Sequence, residues 1–197
     1  AVAAQGVTTI TNAAREPEIA DLQAFLRAMG ADVRGAGSSM IPAGGGLPPQ
    51  GADHPAVGPR IVPAPCLAAA APAGGEIEVT GADCRHLSTV TSVLSQAGCK
   101  VRSDDSRISL SRSGPLRGVS PVRTAPYPGF PTDAQAPLMA ALATAAGTSV
   151  FVENIFESRY RHVDELARMG ARIRVEGRVD TAAPKSLSPA KFRLLSP

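Results

Sequence analysis

Asp133 is the side chain best placed for chemistry, because a carboxylate held at a fixed point of the backbone can act as an acid or a base. It lies in residues 127–135, Tyr-Pro-Gly-Phe-Pro-Thr-Asp-Ala-Gln, where three turn-forming residues precede it. An apolar run at residues 138–146 follows and predicts a helix with Asp133 in its first turn. The positive end of a helix favours a carboxylate in any case, so a purely structural role for Asp133 is the alternative.

The neighbours of Asp133 predict how this helix starts. Thr132 and Gln135 have the spacing of a capping box, in which the threonine side chain accepts a hydrogen bond from the helix backbone. We therefore expect Thr132 to cap the helix. Pro137 falls just beyond the predicted first turn, and we expect it to remove one backbone hydrogen bond of the helix.

Three glycine-led segments recur at a spacing of about 70 residues, and each reads as a strand followed by a helix. Each helix is predicted to stop at a second glycine, because glycine readily adopts the left-handed conformation that ends helices. The residues after this second glycine alternate in polarity and predict a returning strand. The strands start at Gly6, Gly75 and Gly147, and the helices end at Gly30, Gly98 and Gly170.

Further elements complete the repeated unit. Residues 107–112 alternate charged and apolar side chains and predict another strand, and the alanine-rich residues 67–71 and 138–146 predict a second helix. The predicted fold class is therefore α/β, with repeated βαβ-type modules that carry an extra strand and helix. Two stretches do not fit: we expect residues 35–51 to be a flexible connection or a module boundary and residues 178–197 an irregular tail.

Composition argues against several classes of function. The 197 residues include 20 basic and 17 acidic side chains without a basic run interleaved with aromatics, which argues against nucleic-acid binding. No stretch is long and apolar enough to span a membrane, so a cytoplasmic location is predicted. The three cysteines include no CxxC pair and predict neither a disulfide framework nor a metal site; Cys66 is expected to be buried.

Four sequence blocks together resemble the UDP-N-acetylglucosamine enolpyruvyl transferases. They are Asn-Ala-Ala-Arg-Glu-Pro-Glu-Ile at 12–19, Pro-Tyr-Pro-Gly-Phe-Pro-Thr-Asp-Ala-Gln at 126–135, Glu-Asn-Ile-Phe-Glu-Ser-Arg at 153–159 and Glu-Leu-Ala-Arg-Met-Gly-Ala at 165–171. The resemblance covers residues 1–177 and implies part of an inside-out α/β barrel of two domains, each with three modules. Residues 1–50 resemble the end of the first, catalytic domain, and residues 51–177 resemble a large part of the second.

The resemblance implies transfer of the enolpyruvyl group from phosphoenolpyruvate to the 3-hydroxyl of UDP-N-acetylglucosamine, the first committed step of peptidoglycan synthesis. Asp133 matches an aspartate that bonds this hydroxyl and is proposed to take its proton. Ile155 matches a position that contacts the sugar nucleotide. Arg159 matches an arginine of the interdomain cleft and is, with Asp133, a candidate catalytic residue. For Arg159, a salt bridge to Glu153 or Glu157 is the structural alternative. We expect no cofactor and no metal.

Other parts that the resemblance requires have no match in the sequence. A lysine and a mobile loop with a reactive cysteine and an arginine would precede Ala1, and a segment that closes the site from the C-terminal side is missing. We therefore expect a partial chain that is inactive without the remainder of the two-domain enzyme. The alternatives are a non-catalytic paralogue that binds a UDP-sugar or serves as an interaction module, and a shikimate-pathway enolpyruvyl transferase, which the Phe-Pro-Thr-Asp block disfavours.

Overall fold

The computed structural model describes residues 1–44, 50–176 and 190–194. The chain divides into two compact units, residues 1–58 with 126–128 and residues 59–125 with 129–197. The assignment of residues 1–50 and 51–177 to two domains of a larger enzyme stays a prediction. No helix in the described ranges is long and apolar enough to cross a membrane.

Five helices and ten strands make up the described ranges. In chain order they are β1 (Val7–Thr11), α1 (Pro17–Ala28), β2 (Asp32–Val33), β3 (Met40–Gly44), α2 (Pro63–Ala73), β4 (Gly75–Thr80), α3 (Ser88–Gln96), β5 (Lys100–Ser103), β6 (Arg107–Arg112), β7 (Val122–Arg123), α4 (Gln135–Leu142), β8 (Ser149–Glu153), α5 (Arg161–Arg168), β9 (Ile173–Glu176) and β10 (Ala190–Leu194). Two 3-10 turns, Cys84–Leu87 and Thr132–Ala134, precede α3 and α4.

The three predicted repeats share one topology. In each, a strand, a helix and a returning strand are followed by a last strand that lies between the first two and is antiparallel to both. The sheet orders are β1-β3-β2, β4-β6-β5 and β8-β10-β9, and β7 adds to the third sheet in parallel with β8. The predicted βαβ modules are confirmed, with the extra strand inserted between the two strands of the module.

A glycine ends the helix of every repeat, as predicted. Gly30, Gly98 and Gly170 have φ values of 93°, 98° and 96°, the left-handed conformation that a side chain disfavours. The amide after each glycine donates to the carbonyl five residues earlier at 3.0 Å, which closes the last helical turn in the Schellman pattern.

The two alanine-rich helices, α2 and α4, contribute buried side chains to the core of the second unit. They pack against each other, and α2 also contacts β4, β6 and α3. The α2 helix buries Leu67, Ala68 and Ala71, and small residues allow such close helix contact. Both prolines at its start lie in the first turn, where a proline costs no helix hydrogen bond.

Three predictions about the fold outside the candidate site are wrong. Residues 35–51 are not simply a connection, since Met40–Gly44 forms the central strand β3; residues 45–49 lie outside the described ranges. The predicted irregular tail includes strand β10 at Ala190–Leu194, while residues 177–189 and 195–197 lie outside those ranges. Cys66 is exposed on α2, because the buried face of that helix is occupied by its alanine and leucine residues, and Cys99 is the buried thiol.

Candidate functional site

Asp133 and Arg159 meet at the surface of the second unit. The Arg159 guanidinium donates to Oδ1 of Asp133, and it also lies over the Phe156 ring with 5.0 Å to the ring centroid. The Asp133 side chain is 54% exposed and that of Arg159 is 35% exposed, so both can be reached from solvent. The structure thus brings two predicted site residues together, and the alternative salt bridge of Arg159 to Glu153 or Glu157 is wrong.

The helix start around Asp133 differs from the predicted capping box. Asp133 lies in the 3-10 turn Thr132–Ala134, in the first turn as expected, and α4 follows from Gln135 to Leu142 rather than to residue 146. Thr132 is not a cap, because its side chain accepts no hydrogen bond from the helix backbone. Its hydroxyl instead donates to Oε2 of Glu153 at 2.8 Å, and a carboxylate is a strong acceptor. Pro137 is the third residue of α4, where its missing N–H would have no partner within the helix.

Ile155 is the second residue after the end of β8 and is half-buried. Its backbone N–H donates to Oε1 of Glu153 at 2.8 Å. The carbonyl oxygen is therefore the backbone group of Ile155 that is left for a ligand. The packing role predicted for its side chain stays a prediction.

Glu153 is the residue that the sequence reasoning missed. Its side chain is only 3% exposed, and its two carboxylate oxygens accept five hydrogen bonds. The donors are Thr124 Oγ1 at 2.9 Å, Ile155 N at 2.8 Å and Phe156 N at 3.1 Å on Oε1, and Thr132 Oγ1 at 2.8 Å and Gln135 Nε2 at 3.2 Å on Oε2. One signal could have found it: an acidic residue ends the strand Ser-Val-Phe-Val-Glu, whose other residues read as a buried strand.

Two aromatic residues continue from this segment towards α5. Burial, followed by the charge of Glu153, raises the pKa of the Tyr160 hydroxyl above its ordinary value, so Tyr160 stays protonated and can donate. Burial lowers the pKa of His162, whose ring lies 6.3 Å from that of Tyr160. Both side chains are therefore neutral at neutral pH.

The comparisons with known proteins agree with this fold. A model of the EPSP synthase (3-phosphoshikimate 1-carboxyvinyltransferase) family matches residues 1–194. The chain belongs to this family. Among solved structures, the enolpyruvyl transferase NikO from Streptomyces tendae matches with a TM-score of 0.75 and 22% identity, covering 97% of this chain and 43% of NikO. The predicted enolpyruvyl transferase fold class is confirmed, although the described strands form three open sheets and no closed barrel.

Curated relatives within this family carry a more specific name. The chain is 49% identical over 179 residues to UDP-N-acetylglucosamine 1-carboxyvinyltransferase 1 of Symbiobacterium thermophilum, covering 90% of this chain and 40% of the relative. It is 47% identical to the UDP-N-acetylglucosamine 1-carboxyvinyltransferase of Gluconacetobacter diazotrophicus, covering 88% and 41%. The predicted resemblance is confirmed, and the chain spans about two fifths of the length of these relatives.

The geometry gives this chain two accessible groups with complementary chemistry. The Asp133 carboxylate can accept a hydrogen bond and then a proton, and the planar donor fork of Arg159 suits a phosphate or a carboxylate. Within residues 1–44, 50–176 and 190–194, no cluster of three or more His, Cys, Asp or Glu side chains could hold a metal ion. The chemistry that the described residues offer is proton transfer and anion binding.

Proposed function

We propose that this chain is part of an enzyme that transfers the enolpyruvyl group of phosphoenolpyruvate to the 3-hydroxyl of UDP-N-acetylglucosamine and releases phosphate. The observation that carries the proposal is the solvent-accessible pair of Asp133, in the Phe-Pro-Thr-Asp block, and Arg159, in a chain 42–49% identical to relatives with that name. Peptidoglycan synthesis in the cytoplasm, with its links to cell shape and division, belongs to the same proposal.

Asp133 is assigned as the group that takes the proton of the 3-hydroxyl. Its carboxylate accepts a hydrogen bond from that hydroxyl in the ground state, and it takes the proton as the oxygen bonds to the enolpyruvyl carbon. The first turn before α4 holds this carboxylate at the surface, where the Arg159 guanidinium donates a hydrogen bond to its Oδ1.

Arg159 and Ile155 are assigned to binding. When a substrate hydroxyl approaches Asp133, the remaining donors of the Arg159 fork can hold a phosphate or carboxylate oxygen of either substrate. The Phe156 ring under the guanidinium limits the orientations of that fork. The Ile155 carbonyl is the acceptor that we assign to the sugar nucleotide, because its N–H is already bonded to Glu153.

The test replaces Asp133 by asparagine in a full-length enzyme that carries residues 1–177 of this chain. The amide keeps a hydrogen-bond acceptor and removes nearly all the basicity. We expect the single-turnover rate to fall by roughly 10² to 10⁴, the range for a positioned base, and the free energy of unfolding to change by about 1 kcal/mol or less. Single-turnover kinetics and urea unfolding of the same protein measure the two quantities.

Asp164→Asn is the matched control, because Asp164 is an exposed carboxylate in the first turn of α5. This variant should change neither the single-turnover rate nor the free energy of unfolding. A fully active Asp133→Asn enzyme would contradict the role of Asp133. The 197-residue chain alone should release no detectable phosphate from the two substrates; if it binds UDP-N-acetylglucosamine and the full-length enzyme has no transferase activity, the non-catalytic UDP-sugar-binding paralogue is the correct function.

A further inference from the structure

Glu153 contacts both halves of the candidate site with a single buried carboxylate. We propose that Glu153 is a positioning residue that holds the Asp133 turn in a fixed relation to the segment carrying Ile155 and Arg159. This inference rests on the proposed function, because it concerns residues that have their roles there. Its basis is the division of the five donors between the two oxygens of Glu153.

Oxygen Oε2 of Glu153 faces the Asp133 turn. It accepts from the Thr132 hydroxyl at 2.8 Å and from Nε2 of Gln135 at 3.2 Å. These two residues flank Asp133 on either side in the chain, so the bonds fix the turn at two points. Glu153 therefore fixes the direction in which the Asp133 side chain projects from the surface.

Oxygen Oε1 faces the other half of the site. It accepts from the backbone N–H groups of Ile155 at 2.8 Å and Phe156 at 3.1 Å, which turns the chain as it leaves β8. It also accepts from the Thr124 hydroxyl at 2.9 Å, and that hydroxyl in turn accepts from the N–H of Asn154 at 2.8 Å. The backbone direction is therefore fixed at the start of the segment that ends at Arg159.

Only an ionised carboxylate among the common side chains accepts hydrogen bonds on both of its outer atoms. A leucine of similar size would leave the two backbone N–H groups without a partner, and a buried donor without a partner is costly. Gln135 donates a hydrogen bond from Nε2 to Glu153, while its buried Oε1 has no hydrogen-bond partner within the described residues.

The test uses nuclear magnetic resonance on the whole 197-residue chain without substrate. Glu153→Asp shortens the side chain so that it cannot reach both halves, and Thr132→Val removes one bond on the Oε2 side while keeping the shape of the residue. We expect the Ile155 and Phe156 amides to exchange about tenfold faster or more in Glu153→Asp and to be unchanged in Thr132→Val. The guanidinium signals of Arg159, which report its pairing with Asp133, should shift and broaden in both variants.

Two further variants make the outcome specific. Glu153→Gln keeps the length of the side chain: its amide oxygen can serve the Ile155 and Phe156 amides, and Gln135 can turn its Oε1 towards the new amide group. We expect it to restore most of the protection that Glu153→Asp loses. Glu165→Asp is the control, since Glu165 is an exposed glutamate on α5 that accepts a hydrogen bond from Arg168. This variant should leave the Arg159 signals unchanged.

Unchanged Arg159 signals in Glu153→Asp and Thr132→Val, with a lower melting temperature, would overturn the proposal and leave Glu153 a role in stability alone. If Glu153→Asp does not fold, Thr132→Val decides by itself. Failure of the proposed function is a separate result, because it requires an active Asp133→Asn enzyme and has no bearing on signals recorded without substrate.

Discussion

The first and second repeats have the same strand order and the same helix-ending glycine, yet they differ in how much they bury. In the second repeat, α3 buries Val90, Val93 and Leu94, and its sheet buries Ile108 and Leu110. In the first repeat, α1 buries no residue at all, although its apolar residues follow the same helical spacing. The difference therefore does not come from the repeat pattern itself.

The neighbouring helices account for the difference. The second repeat packs against α2, which in turn packs against α4, and this places its apolar face in a core. The first repeat has a small cluster of Val33, Ile41 and Ala43, beside an apolar cavity of about 260 Å³. The local sequence pattern therefore determines the topology of a repeat, whereas the burial of its apolar side chains depends on which helices pack against them.

The largest expected effect compares two leucines at equivalent helix positions. Leu94 on α3 is 1% exposed, and Leu26 on α1 is half-buried and lines the cavity of the first repeat. We expect Leu94→Ala to reduce the free energy of unfolding by about 2 to 5 kcal/mol, as buried leucines do. Leu26→Ala should cost about 1 kcal/mol or less, because less apolar surface is exposed to water on unfolding.

Native-state hydrogen exchange measures the two repeats separately, through amides of β6 for the second and of β3 for the first. A cost for Leu26→Ala equal to that of Leu94→Ala would break the comparison, since it would mean that α1 is as well packed as α3.

A smaller effect is expected to be equal in the two repeats. Gly30 and Gly98 both have positive φ, and no atom lies closer than 3.7 Å to a Cβ added at either position. Alanine would therefore cost only the backbone strain of the left-handed conformation, about 1 kcal/mol at each site. Melting of Gly30→Ala and Gly98→Ala checks this; a markedly larger loss for Gly98→Ala would show that the helix end, as well as the helix face, depends on the surrounding core.

The features that could be predicted from the sequence are the local ones. The helix-ending glycines depend on a backbone conformation that one residue type tolerates best, so Gly30, Gly98 and Gly170 could be placed without any tertiary information. Asp133 could be placed in a first turn for the same reason, because the turn residues before it and the apolar run after it lie next to it in the chain.

The features that could not be predicted depend on distant partners. Thr132 has the spacing of a cap, but its hydroxyl donates a hydrogen bond to a carboxylate 21 positions away in sequence. Strand β3 has a glycine- and proline-containing sequence that resembles a connection, and it is a strand because β1 and β2 pair with it on both sides. The acidic end of a buried strand marks Glu153 as unusual, but its partners could not be predicted, since all but two of its donors come from other parts of the chain.

The smallest expected effect concerns how each helix begins. Asp83 caps the turn before α3 by accepting from the N–H of Arg85 at 3.0 Å, whereas α1 starts at Pro17 without any side-chain cap. The hydrogen bond from the Arg85 side chain lowers the pKa of Asp83 to about 2, below its ordinary 3.8. A lowered pKa in the folded state means that the stability from this carboxylate is complete above about pH 4 and is lost as the pH falls towards 2.

We therefore expect Asp83→Ala to cost about 0.5 to 1 kcal/mol at neutral pH, the usual range for loss of a cap. Asp83→Asn should lose less, because the amide oxygen can still accept from Arg85, and its stability should fall less than that of the unmodified chain between pH 4 and pH 2. Urea unfolding of the three proteins across this pH range measures both effects. If Asp83→Asn and the unmodified chain lose stability in parallel, the Asp83 carboxylate is not what stabilises the start of α3, and the second repeat differs from the first in its packed helix face alone.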